Sequence, residues 1–181
     1  MSPKPELIVR RAGREDMDTF VAWMDDPALL SFVHGDRARA ARELREQQGA
    51  AMPGAALADV MPAMGFYVLD SGADGPAGLV VFHEVSWRNR SCRFDTYLRG
   101  RTASLLPPLG CAIRYCFNEM NLHRVARYVT AHDTDIAEAM TALGAVKEAT
   151  LRNHALINGS PIDVHVYGLL RSEFVDNGPQ A

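Results

Sequence analysis

Four side chains in the middle of the chain can exchange a proton near neutral pH. His83 and Glu84 are neighbours in one strand-like stretch, Asp95 lies in the next, and His132 follows a later one. Histidine titrates close to neutrality, and a carboxylate in suitable surroundings also acts as a general base. The residues predict a proton-abstracting site with Asp95 as the favoured base and His83, Glu84 and His132 as further candidates. For each, the alternative is a purely structural role in a polar network.

Strand alternation determines where these groups point. Residues 79–87 and 92–98 read as two successive strands, because apolar residues recur in short runs between turn-forming clusters. Successive side chains of a strand face opposite ways, so a buried Phe94 directs Asp95 to the other face. We therefore expect Asp95 to face a cleft.

The three cysteines do not form a recognisable metal or disulfide pattern. Cys92, Cys111 and Cys116 are odd in number and contain no CxxC pair. We expect them to pack as small apolar side chains, with a reactive thiol at Cys92 as the alternative. No metal site is expected.

Composition indicates one ordinary globular domain. The chain has 181 residues, 48% of them hydrophobic, and a formal net charge of −3. General nucleic-acid or membrane-surface binders usually carry a basic excess, so neither class is expected. The first residues lack an apolar leader and no run of about 18 apolar residues occurs. These features predict a cytoplasmic protein without a membrane partner.

The remaining elements supply a scaffold of strands and helices. Residues 36–48 read as a charged helix with a solvated face, and 49–64 as either a lid over a site or a flexible connector. Pro107 and Pro108 are tolerated only near the start of a helix. The predicted strands are 6–11, 65–70, 79–87, 92–98, 123–130, 145–151 and 162–170, and the other predicted helices are 15–24, 28–33, 105–121 and 133–143.

The C-terminal half carries a set of short motifs that occur together in a known family. Residues 111–174 resemble the GNAT acyltransferases, and most closely the branch that includes the ribosomal-protein alanine N-acetyltransferases RimJ and RimL. Residues 10–33 also resemble the opening of that family, and residues 36–64 match it poorly. The matching motifs are Phe117, Leu122-His123-Arg124-Val125, Leu143-Gly144-Ala145, Asp163, Tyr167-Gly168-Leu169-Leu170 and Glu173-Phe174.

The resemblance implies both a fold and an activity. The fold is α/β (α+β), a GNAT-type mixed and mostly antiparallel sheet of about seven strands with helices on both faces. It would form one domain over residues 1–174, with 36–64 as a variable helix and possible lid, followed by a flexible tail at 175–181. The activity is transfer of an acyl group from acetyl-CoA or another acyl-CoA to an amine of a small molecule or peptide. A homodimer is a further expectation.

The segment that would hold the donor's pyrophosphate departs from the family. GNAT proteins bind it with backbone N–H groups at a helix start, in an Arg/Gln-x-x-Gly-x-Gly/Ala motif whose glycines admit the phosphates. Here residues 99–108 contain no Gly-x-Gly, and two prolines remove two N–H donors. Arginines and hydroxyls remain as possible CoA ligands. The candidate donor-binding residues are Arg99, Gly100, Arg101, Thr102, Ala103 and Ser104.

Two further positions depart from the family. Asp133 stands where an Asn often bonds the pantetheine arm of CoA, and it joins the candidate donor-binding residues. Ile136 and Met140 stand where a Ser or Tyr often protonates the leaving thiolate. The resemblance therefore supplies no acid for the thiolate.

These departures leave two alternatives open. The chain could be a GNAT-fold transferase with another donor, either an acyl carrier protein or an aminoacyl-tRNA, although its acidic net charge argues mildly against tRNA. It could also be a non-catalytic binding module that keeps the fold, because fold alone does not decide function.

Overall fold

A mixed β-sheet of eight strands forms the centre of the computed structural model, which describes residues 7–25, 30–31, 65–72, 75–99, 104–157 and 159–176. The strands are β1 (Ile8–Arg11), β2 (Leu30–Ser31), β3 (Gly65–Asp70), β4 (Pro76–Ser86), β5 (Ser91–Leu98), β6 (Arg124–Thr130), β7 (Val146–Ile157) and β8 (Ser160–Leu170). The helices are α1 (Arg14–Asp25), α2 (Leu106–Asn118) and α3 (Thr134–Ala142), and a 3₁₀ turn covers Arg171–Glu173.

The strand order confirms the predicted fold class. Seven strands run in the order β1-β3-β4-β5-β6-β8-β7, and β2 pairs separately with β5. Neighbours in this order pair antiparallel except β5 and β6, which are parallel. A parallel pair needs a long crossover, and here the connection between β5 and β6 contains α2.

Both faces of the sheet are buried. On one face, Phe94 of β5 and Val125 of β6 belong to the same buried cluster as Ile113 of α2 and Met140 of α3. On the opposite face, Val68, Val81 and Tyr97 are also shielded from solvent. Side chains alternate along each strand, so a sheet covered on both faces needs apolar residues at successive positions. This explains the apolar run in β4.

The start and end of α2 follow from backbone chemistry. Pro107 and Pro108 occupy its first turn, where a missing N–H removes no helical hydrogen bond. The helix ends before the predicted residue 121, because Asn121 has φ of 51° and turns the chain towards β6. The Leu122 N–H then donates to the Cys116 carbonyl at 3.0 Å.

The helices predicted near the N-terminus can be compared with the structure only in part. The helix predicted at 28–33 is wrong at residues 30–31, which form β2 against Tyr97 and Leu98 because the end of β5 has a free backbone edge. The predicted helix 36–48 and the possible lid 49–64 lie outside the described residues.

The C-terminal residues contact the end of α3. The Val175 N–H donates to the Leu143 carbonyl at 3.0 Å, so the first residue of the predicted tail is held against α3. Within the described ranges, no helix has the length and apolar character needed to cross a bilayer.

Candidate functional site

The two parallel strands at the centre of the sheet separate after three residue pairs. Residues 91–93 of β5 pair with 124–126 of β6, and no further pairs join the two strands within the described residues. β6 continues to Thr130 on β8, and β2 occupies the end of β5 at Tyr97 and Leu98. The opening between residues 94–96 of β5 and residues 127–130 of β6 is called the gap below.

The gap opens towards the carboxyl ends of β5 and β6. The segments that follow these strands lead to the starts of α2 and α3, so both helices begin at the open end. In open α/β sheets, ligands bind outside the carboxyl ends of the strands, where neighbouring connections diverge. The gap is therefore the first place to look for a ligand site.

Arg127 lies at the point where β5 and β6 part. Its side chain is 0% exposed, and its guanidinium carbon lies 5.2 Å from the centre of the Phe94 ring. Its Nη1 makes a long contact of 3.5 Å with the Phe94 carbonyl, so the side chain meets backbone that β6 no longer pairs. Its Nε and Nη2 have no hydrogen-bond partner in the described part of the chain.

His83 and Asp95 form a buried pair beside the gap. The His83 Nε2 lies 3.0 Å from the Asp95 Oδ2, with side chains that are 14% and 4% exposed. The two atoms are within hydrogen-bond distance, although the contact does not meet the angular requirement for a hydrogen bond. The structure therefore brings together two of the four predicted bases. Phe94 faces the α2 side and Asp95 the opposite face, as alternation predicted.

The surroundings of Asp95 keep its carboxyl ionised. Burial by itself raises the pKa of Asp95, but His83, Arg127 and Arg93 outweigh it and hold the pKa below the ordinary value. A carboxyl with a lowered pKa is a weak base. The pair therefore favours His83 as the proton acceptor, with Asp95 as the group that stabilises the charged imidazole.

Glu84 and His132 lie apart from this pair. Glu84 sits at an irregularity of β4 with φ of 51°, and its exposed Oε1 lies 3.5 Å from Nη2 of Arg93. The Arg93 guanidinium also lies 4.8 Å from the centre of the Tyr128 ring. His132 is exposed in the turn between β6 and α3. The folded chain therefore does not group all four candidates.

The described part of the predicted phosphate-binding segment offers few backbone donors. The Leu106 N–H donates to Oγ of Ser104 at 3.2 Å, and the Leu109 N–H donates to the Leu105 carbonyl at 3.1 Å. The two intervening prolines have no N–H. Arg99 is exposed, and its own N–H donates to the Ala77 carbonyl at 2.9 Å. The other candidates, Gly100, Arg101, Thr102 and Ala103, lie outside the described residues.

Carboxylates line the space between the starts of α2 and α3. A cavity of about 360 Å³ is bordered by Ser104, Leu106, Asp135 and Glu138, among others. Asp133, at the N-cap of α3, accepts a hydrogen bond of 2.6 Å from Oγ1 of Thr130. Negative charge here opposes the binding of a pyrophosphate.

The two positions on α3 where related proteins often carry a leaving-group acid are buried in the apolar core. Ile136 and Met140 of α3 are buried in the main apolar cluster, and neither carries an ionisable proton. The cysteines are buried as well, and the Sγ atoms of Cys92 and Cys116 lie 3.8 Å apart. Burial, together with Cys92, raises the pKa of Cys116 well above its ordinary value, which disfavours a nucleophilic thiolate there.

Sequence reasoning missed the buried polar groups of the gap itself. Arg127 was not among the predicted site residues, and neither was Thr96, which is 0% exposed with no partner for its Oγ1 in the described part of the chain. A signal was present for the arginine. In the strand RVARYVT, alternation places Arg127 on the same face as Val125 and Val129, which are both apolar. A charged residue at a core position is the unusual feature.

Comparison with known proteins gives matches in structure but not in sequence. Neither a family model nor the sequence of a curated protein matches this chain. Among solved structures, a chimera of the spermidine N-acetyltransferase SpeG from Vibrio cholerae and hSSAT superposes with a TM-score of 0.75 at 20% identity, covering 92% of this chain and 96% of that one. A point mutant of SpeG gives a TM-score of 0.71 at 19% identity, covering 94% and 98%.

A third solved structure, a dodecameric form of the Vibrio cholerae enzyme, gives a TM-score of 0.70 at 18% identity, covering 92% of this chain and 95% of that one. At these identities the comparison shows the fold and nothing finer. Each match spans nearly the whole of both chains, so the likeness is to the complete domain.

Proposed function

Starting from the GNAT fold that the chain shares with these structures, we propose that it is an N-acyltransferase. It moves an acyl group from a thioester donor, acetyl-CoA or another acyl-CoA, to an amine of a small molecule or peptide. The observation that carries this proposal is the gap between β5 and β6 with the buried His83–Asp95 pair beside it. We expect a narrow arm to enter between the separated strands, where Asp95 is on the strand that borders the gap and His83 contacts it from β4.

The proposed chemistry uses the pair as one unit. The amine nitrogen attacks the thioester carbon, a C–N bond forms, and the negative charge moves to the carbonyl oxygen. The proton of the amine passes to the imidazole of His83, and the ionised Asp95 stabilises the resulting positive charge. Collapse of the intermediate breaks the C–S bond and releases a thiolate.

The thiolate can leave without an acid from the protein. Thiols are moderately acidic, with a pKa of about 8.5 for the cysteine side chain, so a thiolate can leave as the anion and then take a proton from water. This fits the apolar side chains at Ile136 and Met140. The proposed reaction therefore needs a base and a bound thioester, but no tyrosine or serine on α3.

Coenzyme A itself fits the described residues poorly. The N–H groups of Leu106 and Leu109 are already bonded, and Asp135 and Glu138 border the nearby cavity. β2 also pairs with Tyr97 and Leu98 of β5, so this part of the strand edge is not open for a bound donor. These observations favour a second candidate, a transferase whose donor is an acyl carrier protein or an aminoacyl-tRNA. In the non-catalytic alternative, the same fold binds a ligand without transferring an acyl group.

The acceptor and the cellular setting are also part of the proposal. The matched structures are named as spermidine N-acetyltransferases, which makes a polyamine the first small amine to test. The Leu122–Val125 and Tyr167–Leu170 motifs resemble the RimJ/RimL branch, which makes a peptide with an N-terminal alanine the second. We place the protein in the cytoplasm, with a homodimer as its assembly.

The test measures thiol release by the purified full chain. Acetyl-CoA, acetyl-pantetheine and an acetylated acyl carrier protein are each supplied with spermidine or the alanine peptide. Acyl transfer from any of them supports the proposal, and a higher kcat/KM with the carrier protein than with CoA selects the second candidate. No transfer and no change in Tm with any of these donors, or with an aminoacyl-tRNA, would contradict acyl transfer.

A further inference from the structure

Three basic residues are linked through the backbone at the end of the sheet away from the gap. The His123 N–H donates to the Arg90 carbonyl at 2.8 Å, and the Arg171 N–H donates to the His123 carbonyl at 2.9 Å. Arg90 is the last residue of the turn before β5, His123 precedes β6, and Arg171 follows β8. All three residues are exposed, and they are called the basic row below.

The two arginines of the basic row converge on one neutral amide. Nη2 of Arg90 donates to Oδ1 of Asn121 at 2.8 Å, and Nη1 of Arg171 donates to the same oxygen at 3.3 Å. The two donor nitrogens are therefore at most about 6 Å apart, a distance at which like charges repel each other. Nη2 of Arg171 donates to Oδ1 of Asn118 at 3.3 Å, which is again a neutral acceptor. An anion beside the two guanidinium groups would relieve their repulsion.

Other arginines of the described chain have carboxylate partners, whereas these two do not. The paired arginines and their partners are Arg10 with Asp16, Arg114 with Asp176, and Arg124 with Glu148. No carboxylate of the described residues forms an ion pair with Arg90 or Arg171. Glu173 accepts from the Leu170 N–H at 3.0 Å, and Glu119 is exposed at the end of α2. The basic row thus carries two positive charges that no carboxylate contacts directly in the described part of the chain.

A surface cavity of about 380 Å³ lies beside the basic row. The described residues that border it are His123, Leu170, Arg171 and Ser172. The imidazole, the guanidinium and the hydroxyl supply N–H and O–H donors, and Leu170 supplies an apolar wall. Donors from three side chains, with two positive charges at hand, suit an anion that has several oxygens and more than one negative charge.

We propose that this cavity binds the phosphate group of a small molecule, with Arg90, His123, Arg171 and Ser172 bonding its oxygens. The present bonds of Arg171 to amide oxygens are at the long end of the range for N–H···O, so a phosphate oxygen can replace them with shorter, charge-assisted bonds. The apolar wall at Leu170 favours a phosphate monoester with an apolar group over free phosphate. The cavity is at the opposite end of β6 from the gap, so this site does not depend on the proposed acyl transfer.

The wild-type protein tests the proposal by titration calorimetry of the full chain. The probes are inorganic phosphate, phenyl phosphate and phenol, in about 0.15 M NaCl to screen long-range attraction. We expect phenyl phosphate to bind more tightly than inorganic phosphate, and phenol to give no measurable heat. Equal affinity for both phosphates keeps the phosphate site without the role of Leu170. Absence of binding by both phosphates, or equal binding of phenyl phosphate and phenol, would overturn the proposal.

Three variants assign the binding to the basic row. Arg171→Gln and Arg90→Gln each remove one charged donor, and we expect each to weaken phenyl phosphate binding by about tenfold or more. Both side chains are exposed, and Tm without ligand checks that the variants fold. Arg88→Gln is the matched control, because Arg88 is exposed in the same turn as Arg90 but does not bond Asn121. Unchanged affinity in both folded variants, or an equal loss in the control, would place the binding elsewhere and overturn the proposal.

The outcomes are separate from those of the proposed function. Acyl transfer by a chain that binds neither phosphate leaves the transferase standing and removes the phosphate site. Binding of phenyl phosphate that is lost in Arg171→Gln, without transfer from any thioester, keeps the phosphate site and removes the transferase.

Discussion

The imidazole of His83 and the carboxylate of Asp95 come from neighbouring strands and meet with Nε2 and Oδ2 3.0 Å apart. They are not directly opposite in the ladder, since His83 pairs with Arg93 and Asp95 with Val81. The contact is therefore a diagonal one across β4 and β5, which long side chains can span. Both groups belong to the face opposite α2, whereas Arg127 reaches the gap from the α2 side.

Replacing the proton acceptor should abolish most of the turnover. His83→Gln removes the imidazole, and general-base catalysis contributes about 10²- to 10⁴-fold, so we expect kcat to fall by that factor. Donor binding, measured by the rise in Tm with the thioester, should change little. The control is His165→Gln on β8, where the ring contacts Thr150 instead of Asp95. Full turnover in His83→Gln would exclude His83 as the base.

Stability at low pH should depend on Asp95. The pKa of Asp95 is lowered in the folded protein, so its contribution is present above the ordinary carboxyl pKa of about 3.9 and is lost as pH falls through the folded value. We expect the free energy of unfolding of the wild type to decrease more steeply below about pH 4 than that of Asp95→Asn. Urea unfolding at several pH values measures the difference. Parallel curves would contradict the assignment of an ionised, stabilised Asp95.

Near neutral pH the same substitution is expected to be destabilising. Removing one partner of a buried charged group costs about 3–5 kcal/mol, because Arg127 and Arg93 then lose a compensating anion. Asp163→Asn is the matched control, since Asp163 accepts from the Asn153 N–H at the exposed side of β8. A loss no greater than in that control would contradict the buried charge cluster.

Tyr115 should titrate unusually late. Burial raises the pKa of Tyr115 to about 12, and the neighbouring Tyr67, whose ring centre lies 5.2 Å away, acts in the same direction. The neutral form is therefore favoured by folding, and its stabilising effect is lost as pH rises from about 10 to about 12. A rapid pH jump followed by tyrosinate absorbance should show this late step in the wild type and in Tyr128→Phe. Because burial raises the pKa of Tyr67 as well, Tyr115→Phe should reduce the amplitude of the late step, and an unchanged amplitude would contradict the assignment.

Gly144 should tolerate no side chain. Its φ is 96°, and a Cβ there would overlap the carbonyl oxygen of Glu173 in the closing turn. Gly159 has a similar φ of 80°, and none of the described residues lies within 4 Å of a Cβ built there, so Gly159→Ala measures the backbone strain alone, about 1–2 kcal/mol. We expect Gly144→Ala to lose clearly more than Gly159→Ala in urea unfolding. Equal losses would show that the turn around Glu173 yields without cost.

The local sequence accounted for much of the scaffold. Alternation placed Phe94 in the core and Asp95 on the other face, and the prolines at 107 and 108 marked the start of α2. These features are local, because they depend on strand periodicity of two residues and on the missing N–H of proline. The helix predicted at 28–33 was wrong at β2, where pairing with a distant strand outweighs the propensity of a short segment.

The sequence by itself determined the fold class, the buried faces of the strands and the residue types available for proton transfer. The tertiary structure alone decided that β5 and β6 part after residue 93, that His83 meets Asp95, and that Arg127 is buried beside Phe94 where the strands part. Those relationships join residues more than ten positions apart, and each depends on strand register. Register is a property of the paired strands together, so a pattern read along one strand does not contain it.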